Sequence, residues 1–182
     1  MNGKEKSRRH RKLLKRIAIT GPESTGKSSL CQQLADYYKD LWVPEFAREY
    51  IDKLGRPYTQ ADILTIAKSQ VELEADAAKK ANQFLFCDTE LIVTKIWSEH
   101  KYQNCDPWIS DQIKKSDYHL YLLCDIDLPW EYDPQREHPD LREYFFNKYQ
   151  KELKFHHFKY KIVSGIGKER LDNAIKLINK SL

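Results

Sequence analysis

No run of apolar residues in this 182-residue chain approaches the roughly 20 that a bilayer-spanning helix needs, so a helical membrane protein is excluded. The opening stretch, MNGKEKSRRHRKLLKR, has no apolar segment and does not read as a secretory leader. The four cysteines (Cys31, Cys87, Cys105, Cys124) lack CxxC spacing, and Cys87 and Cys124 fall in apolar, strand-like stretches. That is the pattern of reduced, packing thiols, and the expected location is the cytoplasm. The six histidines show no metal-ligand spacing, and His156-His157 read as a helix end. No Ser/His/Asp order of a hydrolase stands out. A guanine-specific Asn/Thr-Lys-x-Asp motif is absent, and the D-x-x-G match at Asp52–Gly55 has no strand before it, which disfavours a GTPase switch. Net positive charge is also confined to one segment. Residues 1–16 hold eight Lys/Arg against one Glu, a net +7, and the chain totals +4, so residues 17–182 stand at −3. Such a body is no nucleic-acid platform, and a nucleic-acid motor is disfavoured. Residues 1–15 read as a basic flexible tail and 16–182 as one domain, without repeats or linkers.

What is present begins at IAITGPESTGKSSL, residues 17–30: an apolar run, then G-x-x-x-x-G-K-S. In that pattern two glycines let the backbone curl so that its N–H groups cradle phosphate oxygens, and the following helix adds its positive end. Gly21, Glu23, Ser24, Thr25, Gly26, Lys27, Ser28 and Ser29 are the expected nucleotide contacts. Lys27 reaches the β- and γ-phosphates, and the Ser28 hydroxyl is a Mg²⁺ ligand. The pattern is loose, but its setting fits: RIAIT reads as a buried strand and KSSLCQQLADYY as an amphipathic helix.

Beyond this loop, strands and helices alternate. LWVPEFA reads as a short strand ending in Glu45, followed by a helical turn that Gly55 closes and a long helix capped by Thr59. FLFCDTE, YHLYLLCD and YKIVSG read as further strands. Each strand is apolar on both faces, which implies a parallel, doubly wound five-stranded sheet of the P-loop NTPase kind. Ligands of such sheets sit beyond the carboxyl ends of the strands, where Glu45, Asp88 and Asp125 are expected. Asp88 follows FLFC as a Walker B acid does, with Glu90 close enough to help; the alternative is a helix cap. Glu45 either takes the proton of an attacking hydroxyl, binds that hydroxyl, or pairs with Arg48. Residues 127–142, with three prolines and many charges, read as a lid carrying Arg136 and Arg142 toward the moving phosphoryl group; the alternative is a charged surface loop. Trp130 in this lid is placed to touch a base. ATP and Mg²⁺ are the expected cosubstrate and metal of a phosphotransferase acting on a small hydroxyl compound.

Five stretches, GPESTGKSSL, PEFAREYIDKLG, FLFCDTELIVTKIW, PWEYDPQR and LREYF, together resemble the ribosylnicotinamide kinase domain of NadR-type NAD-salvage proteins over most of residues 16–180. The resemblance implies an AAA-type P-loop NTPase with a nucleoside-kinase-like fold that phosphorylates the 5′-hydroxyl of nicotinamide riboside, giving nicotinamide mononucleotide. It implies catalytic roles for Lys27, Glu45, Asp88, Arg136 and Arg142, and acceptor contacts from Glu45, Arg48, Asp88, Trp130 and Asp133. Three departures stand out. The family's full-length members carry an adenylyltransferase domain upstream, where this sequence has a basic tail. Pro134 stands where a lid glycine is expected, and Pro44 where an aromatic suited to stacking on the nicotinamide ring is expected. Another nucleoside or small hydroxyl compound is the alternative acceptor, with a regulatory ATPase further off. A homo-oligomer is compatible with the sequence.

Overall fold

The computed structural model describes residues 13–182; residues 1–12, most of the expected basic tail, lie outside the described residues. Strand β1 (Lys15–Thr20) is the centre of a sheet ordered β2-β3-β1-β4-β5, completed by β2 (Leu41–Val43), β3 (Phe84–Asp88), β4 (Leu120–Cys124) and β5 (Tyr160–Val163). Every pairing is parallel. All residues of β3 and β4 are buried, as strands covered on both faces must be. On one face α1 (Lys27–Tyr38) and α7 (Lys168–Ser181) pack around Ile17, Ile19, Phe86 and Leu122. The other face is covered by α3 (Gln60–Ala78), α4 (Leu91–Tyr102), α5 (Pro107–Lys114) and α6 (Arg142–Phe155), which enclose Ala18, Ile63, Ile96, Tyr121 and Leu153. A further helix, α2 (Phe46–Leu54), follows β2.

Local chemistry sets the ends of these elements. Thr59 and Asp62 form a reciprocal capping box that starts α3. Asp106 caps α5, with Pro107 in its first turn, where a missing N–H costs nothing. The Asp40 carboxylate accepts N–H groups from Leu41, Asn82, Gln83 and Phe84, which pins the entry of β3 beside the end of α1. Two boundaries differ from the sequence reading. The backbone N–H of Lys15 bonds to the Gln83 carbonyl at 2.8 Å, so Lys15 belongs to the sheet and not to the tail. Strand β2 stops at Val43, because Pro44 has no N–H to give a ladder, and Glu45 becomes the residue that opens α2.

Candidate active site

The chain leaves the buried end of β1 at Thr20 and turns at once. Gly21 has φ 136°, and a Cβ there would lie 3.1 Å from the Cys124 carbonyl oxygen, so glycine is required for two reasons. Gly26, at φ 71°, closes the loop, and a Cβ on it would meet Leu128 at 2.9 Å. Ser24 is also left-handed (φ 56°). Helix α1 starts at Lys27 with no side-chain cap, which leaves its first N–H groups and its positive end facing the loop. The Lys27 ammonium crosses the loop to the Pro22 carbonyl at 2.8 Å, and the Thr25 hydroxyl reaches the same oxygen at 2.8 Å. Arg170 of α7, absent from the sequence reading, is buried behind the loop, donating to the Thr25 carbonyl at 3.2 Å and pairing with Asp127. Its signal was an arginine on an apolar stripe, one helical turn before Ala174 and two before Ile178.

Asp88 ends β3 opposite Ile19 of β1, with the Ser28 hydroxyl beside its carboxylate. Burial, with the Glu45 charge second, pushes its carboxyl up to about 6, against the opposing pull of Ser28, Lys27 and Arg48. One carboxylate oxygen, Oδ1, is buried without a partner. The next residue, Thr89, is left-handed (φ 71°), unusual for a β-branched side chain, and its hydroxyl is also buried unpartnered. Glu90 does not help Asp88. Its carboxylate caps α4 through the Ile92 N–H at 2.7 Å and accepts the Thr20 hydroxyl at 3.0 Å, while complete burial raises its pKa to about 8. Asp125 is likewise consumed locally by the Ile126 N–H. Glu45 makes no capping hydrogen bond, and its carboxylate lines the cavity. Arg48 pairs instead with Asp133, at 2.8 Å.

The proline-rich connection between β4 and α6 lies over the loop. The Ser24 hydroxyl accepts the Glu131 N–H at 2.9 Å and the Arg136 guanidinium at 3.4 Å, so Arg136 is held at the loop and lines the cavity. Pro134 is the second residue of a turn closed by Arg136 N–H to the Asp133 carbonyl at 2.9 Å, a position that suits proline. Three lid residues of the sequence reading fall elsewhere. Arg142 spends its guanidinium on the carbonyls of Ile126 and Leu128 and does not line the cavity; it fastens the root of the lid. Half-buried Trp130 and Asp133, which is paired with Arg48, do not line the cavity either.

The cavity measures about 550 Å³ and runs from Gly21–Ser29 to a wall of rings: Tyr58, Trp97, His100, His138, Phe145 and Tyr149. The Tyr58 hydroxyl accepts the Trp97 N–H at 2.9 Å and donates to Glu137 at 3.2 Å. His100 and His138 meet edge-on with centroids 4.6 Å apart, and burial holds His100 below its usual pKa. The sequence reading does not single out these rings. Their signal was the spacing Val93–Ile96–Trp97–His100, one face of α4.

Among the described residues no helix is long and apolar enough to cross a membrane. The trifunctional NAD biosynthesis/regulator protein NadR of Escherichia coli is 28% identical over 68% of this chain, and this chain spans 31% of that protein's length. Two solved NadR structures, one in complex with NAD and AMP-PNP and one with NR, have TM-scores of 0.76 and 0.77, at 20% and 19% identity. Both cover 92% of this chain, and 49% and 50% of theirs. A thymidylate kinase from Ehrlichia chaffeensis shares the fold, with a TM-score of 0.63 at 14% identity, covering 91% of this chain and 98% of its own. The fold is thus that of a P-loop NTPase of the nucleoside-kinase kind, and, with an AAA domain model matching residues 16–170, the chain belongs to the AAA domain family.

Proposed function

We propose that this chain transfers the γ-phosphoryl group of ATP to the 5′-hydroxyl of nicotinamide riboside, giving nicotinamide mononucleotide and ADP. One observation carries the reading: a single cavity joins the phosphate loop to an aromatic-walled pocket, with Glu45 in its lining between them in the chain. Gly21–Ser29 and the free N-terminus of α1 take the phosphates. Lys27 leaves the Pro22 carbonyl for the β- and γ-oxygens, and Arg136, held at Ser24, adds charge where it develops. The donor set fits Mg²⁺, since the Ser28 hydroxyl lies beside an acid that has one carboxylate oxygen buried without a partner. Ser28 and Asp88 would hold that ion, which neutralises phosphate charge in such reactions. Glu45, which lines the cavity as Asp88 does not, takes the hydrogen bond of the acceptor hydroxyl. Phosphoryl transfer asks mainly for alignment and charge, so a carboxylate that orients the hydroxyl suffices.

The acceptor half supports a cationic ring. Trp97 offers a ring and Glu45 offers negative charge; Lys101 already sits 3.6 Å over the Tyr58 ring and pairs with Glu137, and the cations of the lining cluster toward the phosphates or are paired: Arg48 with Asp133, Arg170 with Asp127. The NR and NAD named for the two NadR complexes fit the same reading. The test is a coupled ATPase screen over nicotinamide riboside, adenosine, cytidine, uridine and thymidine. Nicotinamide riboside is expected to give the highest kcat/KM. Another nucleoside in first place leaves a nucleoside kinase with a different acceptor, and no transfer to any acceptor overturns the kinase reading.

A further inference from the structure

Glu23 is an anomaly in a phosphate loop: a carboxylate placed among groups that must receive phosphate oxygens. Its partners explain it. The Glu23 carboxylate accepts two successive backbone N–H groups of the lid, from Glu137 at 3.2 Å and from His138 at 3.2 Å. The adjacent Ser24 accepts the Glu131 N–H, and Arg136, which must face the transferred group, sits between these two attachments in the chain. The far side of the lid is tied to α2 by Arg48–Asp133 and by the Gln135 amide to the Arg48 carbonyl at 3.2 Å. The phosphate loop therefore does two things: its backbone faces the cavity, and the side chains of its spacers hold the lid.

We propose that Glu23 is a positioning residue, a latch that fastens the lid to the phosphate loop so that Arg136 is aligned and water is kept out during transfer. This role presupposes the phosphoryl-transfer reading, and it acts through Arg136 rather than through contact with a substrate. It makes a prediction that bare electrostatics reverses. A carboxylate beside phosphates repels them, so its removal alone would tighten ATP binding and leave turnover intact. Loss of a latch instead lowers kcat about tenfold or more through misalignment, with KM for ATP unchanged or lower. It also raises the share of ATP hydrolysed without acceptor phosphorylation.

Glu23→Ala and Glu23→Gln should be compared with the native chain, the amide retaining one acceptor oxygen for the two N–H groups. Three readouts are needed: kcat and KM with acceptor, ATP hydrolysed per acceptor phosphorylated, and hydrogen exchange across residues 129–138 with AMP-PNP and no acceptor. The expected result is faster lid exchange, lower kcat and poorer coupling in Glu23→Ala, with Glu23→Gln intermediate in all three. Unchanged lid exchange overturns the latch, whatever happens to kcat, and so does faster exchange with native kcat and coupling. The exchange measurement needs no acceptor, so it still reads the latch if nicotinamide riboside proves not to be the substrate.

Discussion

Replacing Asp88 by Asn should make the metal-free protein more stable and the enzyme inactive. In the folded chain the Asp88 carboxyl is held near 6 by burial, against an ordinary value of 3.8. Each pH unit of such displacement corresponds to about 1.4 kcal/mol, so keeping this acid ionised costs the fold roughly 3 kcal/mol. The sign follows from linkage. With the folded pKa above the unfolded one, the group favours folding below pH 3.8, and that contribution is lost as pH rises through 6. Asparagine does not titrate and escapes the cost. Its N–H inherits the place of an unpartnered oxygen, which returns about 1 kcal/mol of penalty, so the net gain is ~2 kcal/mol at pH 8. For a domain of this size that is a rise in melting temperature of about 4–8 °C. The assay is thermal unfolding of both proteins in EDTA from pH 4 to pH 8. The gap should open between pH 4 and 7 and then plateau, while phosphotransfer falls by about 10²-fold or more. A gap that does not change with pH, or an Asn variant less stable at pH 8, would refute the reasoning about burial.

Lys27→Ala should cut turnover by about 10²-fold or more, because its charge is needed only once phosphates are bound. Its melting temperature should barely change, since a loop lysine donating to one carbonyl holds little together; near-native turnover would sink the phosphate-loop assignment. Asp40→Asn tests the clamp on β3 by pH. Four backbone N–H groups hold Asp40 below 3.8 despite its desolvation, so its stabilisation is present above pH 3.8 and lost as pH falls through the lowered folded value. The melting-temperature gap between native and Asn proteins should therefore be widest near neutrality and close under acid; a gap of constant width would show that ionisation plays no part.

The fold was legible because its physics is local and repeated. Every central strand is apolar on both faces and every connection carries a helical period, which leaves little besides a parallel sheet with helices on both sides. The phosphate loop was legible for the same reason: Gly21 and Gly26 hold conformations that few other residues tolerate. The acids of Asp88-Thr89-Glu90 were not separable by sequence. In an extended chain, residues 88 and 90 share a face, so both seemed available to the metal. Thr89 breaks that alternation by adopting φ 71°, which sends Glu90 into the core to cap α4. Nothing in a threonine announces a left-handed backbone. Arg136 and Arg142 were equally opaque, because the choice between them is made by the unpaired carbonyls of Ile126 and Leu128, which claim Arg142.

The acceptor wall illustrates a different limit. Trp97 and His100 sit on one face of α4, and helical spacing can find that face but not what lies opposite it. Trp97 and Tyr58 pack against the same core that holds Ile96 and Tyr149. They form a cavity wall because space is left between them and the phosphate loop, with the lid touching them only through Glu137 and His138. The same geometry answers the loss of an aromatic at Pro44. A ring that cannot stack beside Glu45 can instead meet the edge-to-face Tyr58–Trp97 pair, whose hydroxyl and indole N–H already satisfy each other and need nothing from the ligand. A wall of that kind offers faces without demanding hydrogen bonds. On the function proposed above, such a wall selects by shape and charge, and the Glu45 carboxylate makes a cationic ring the better guest.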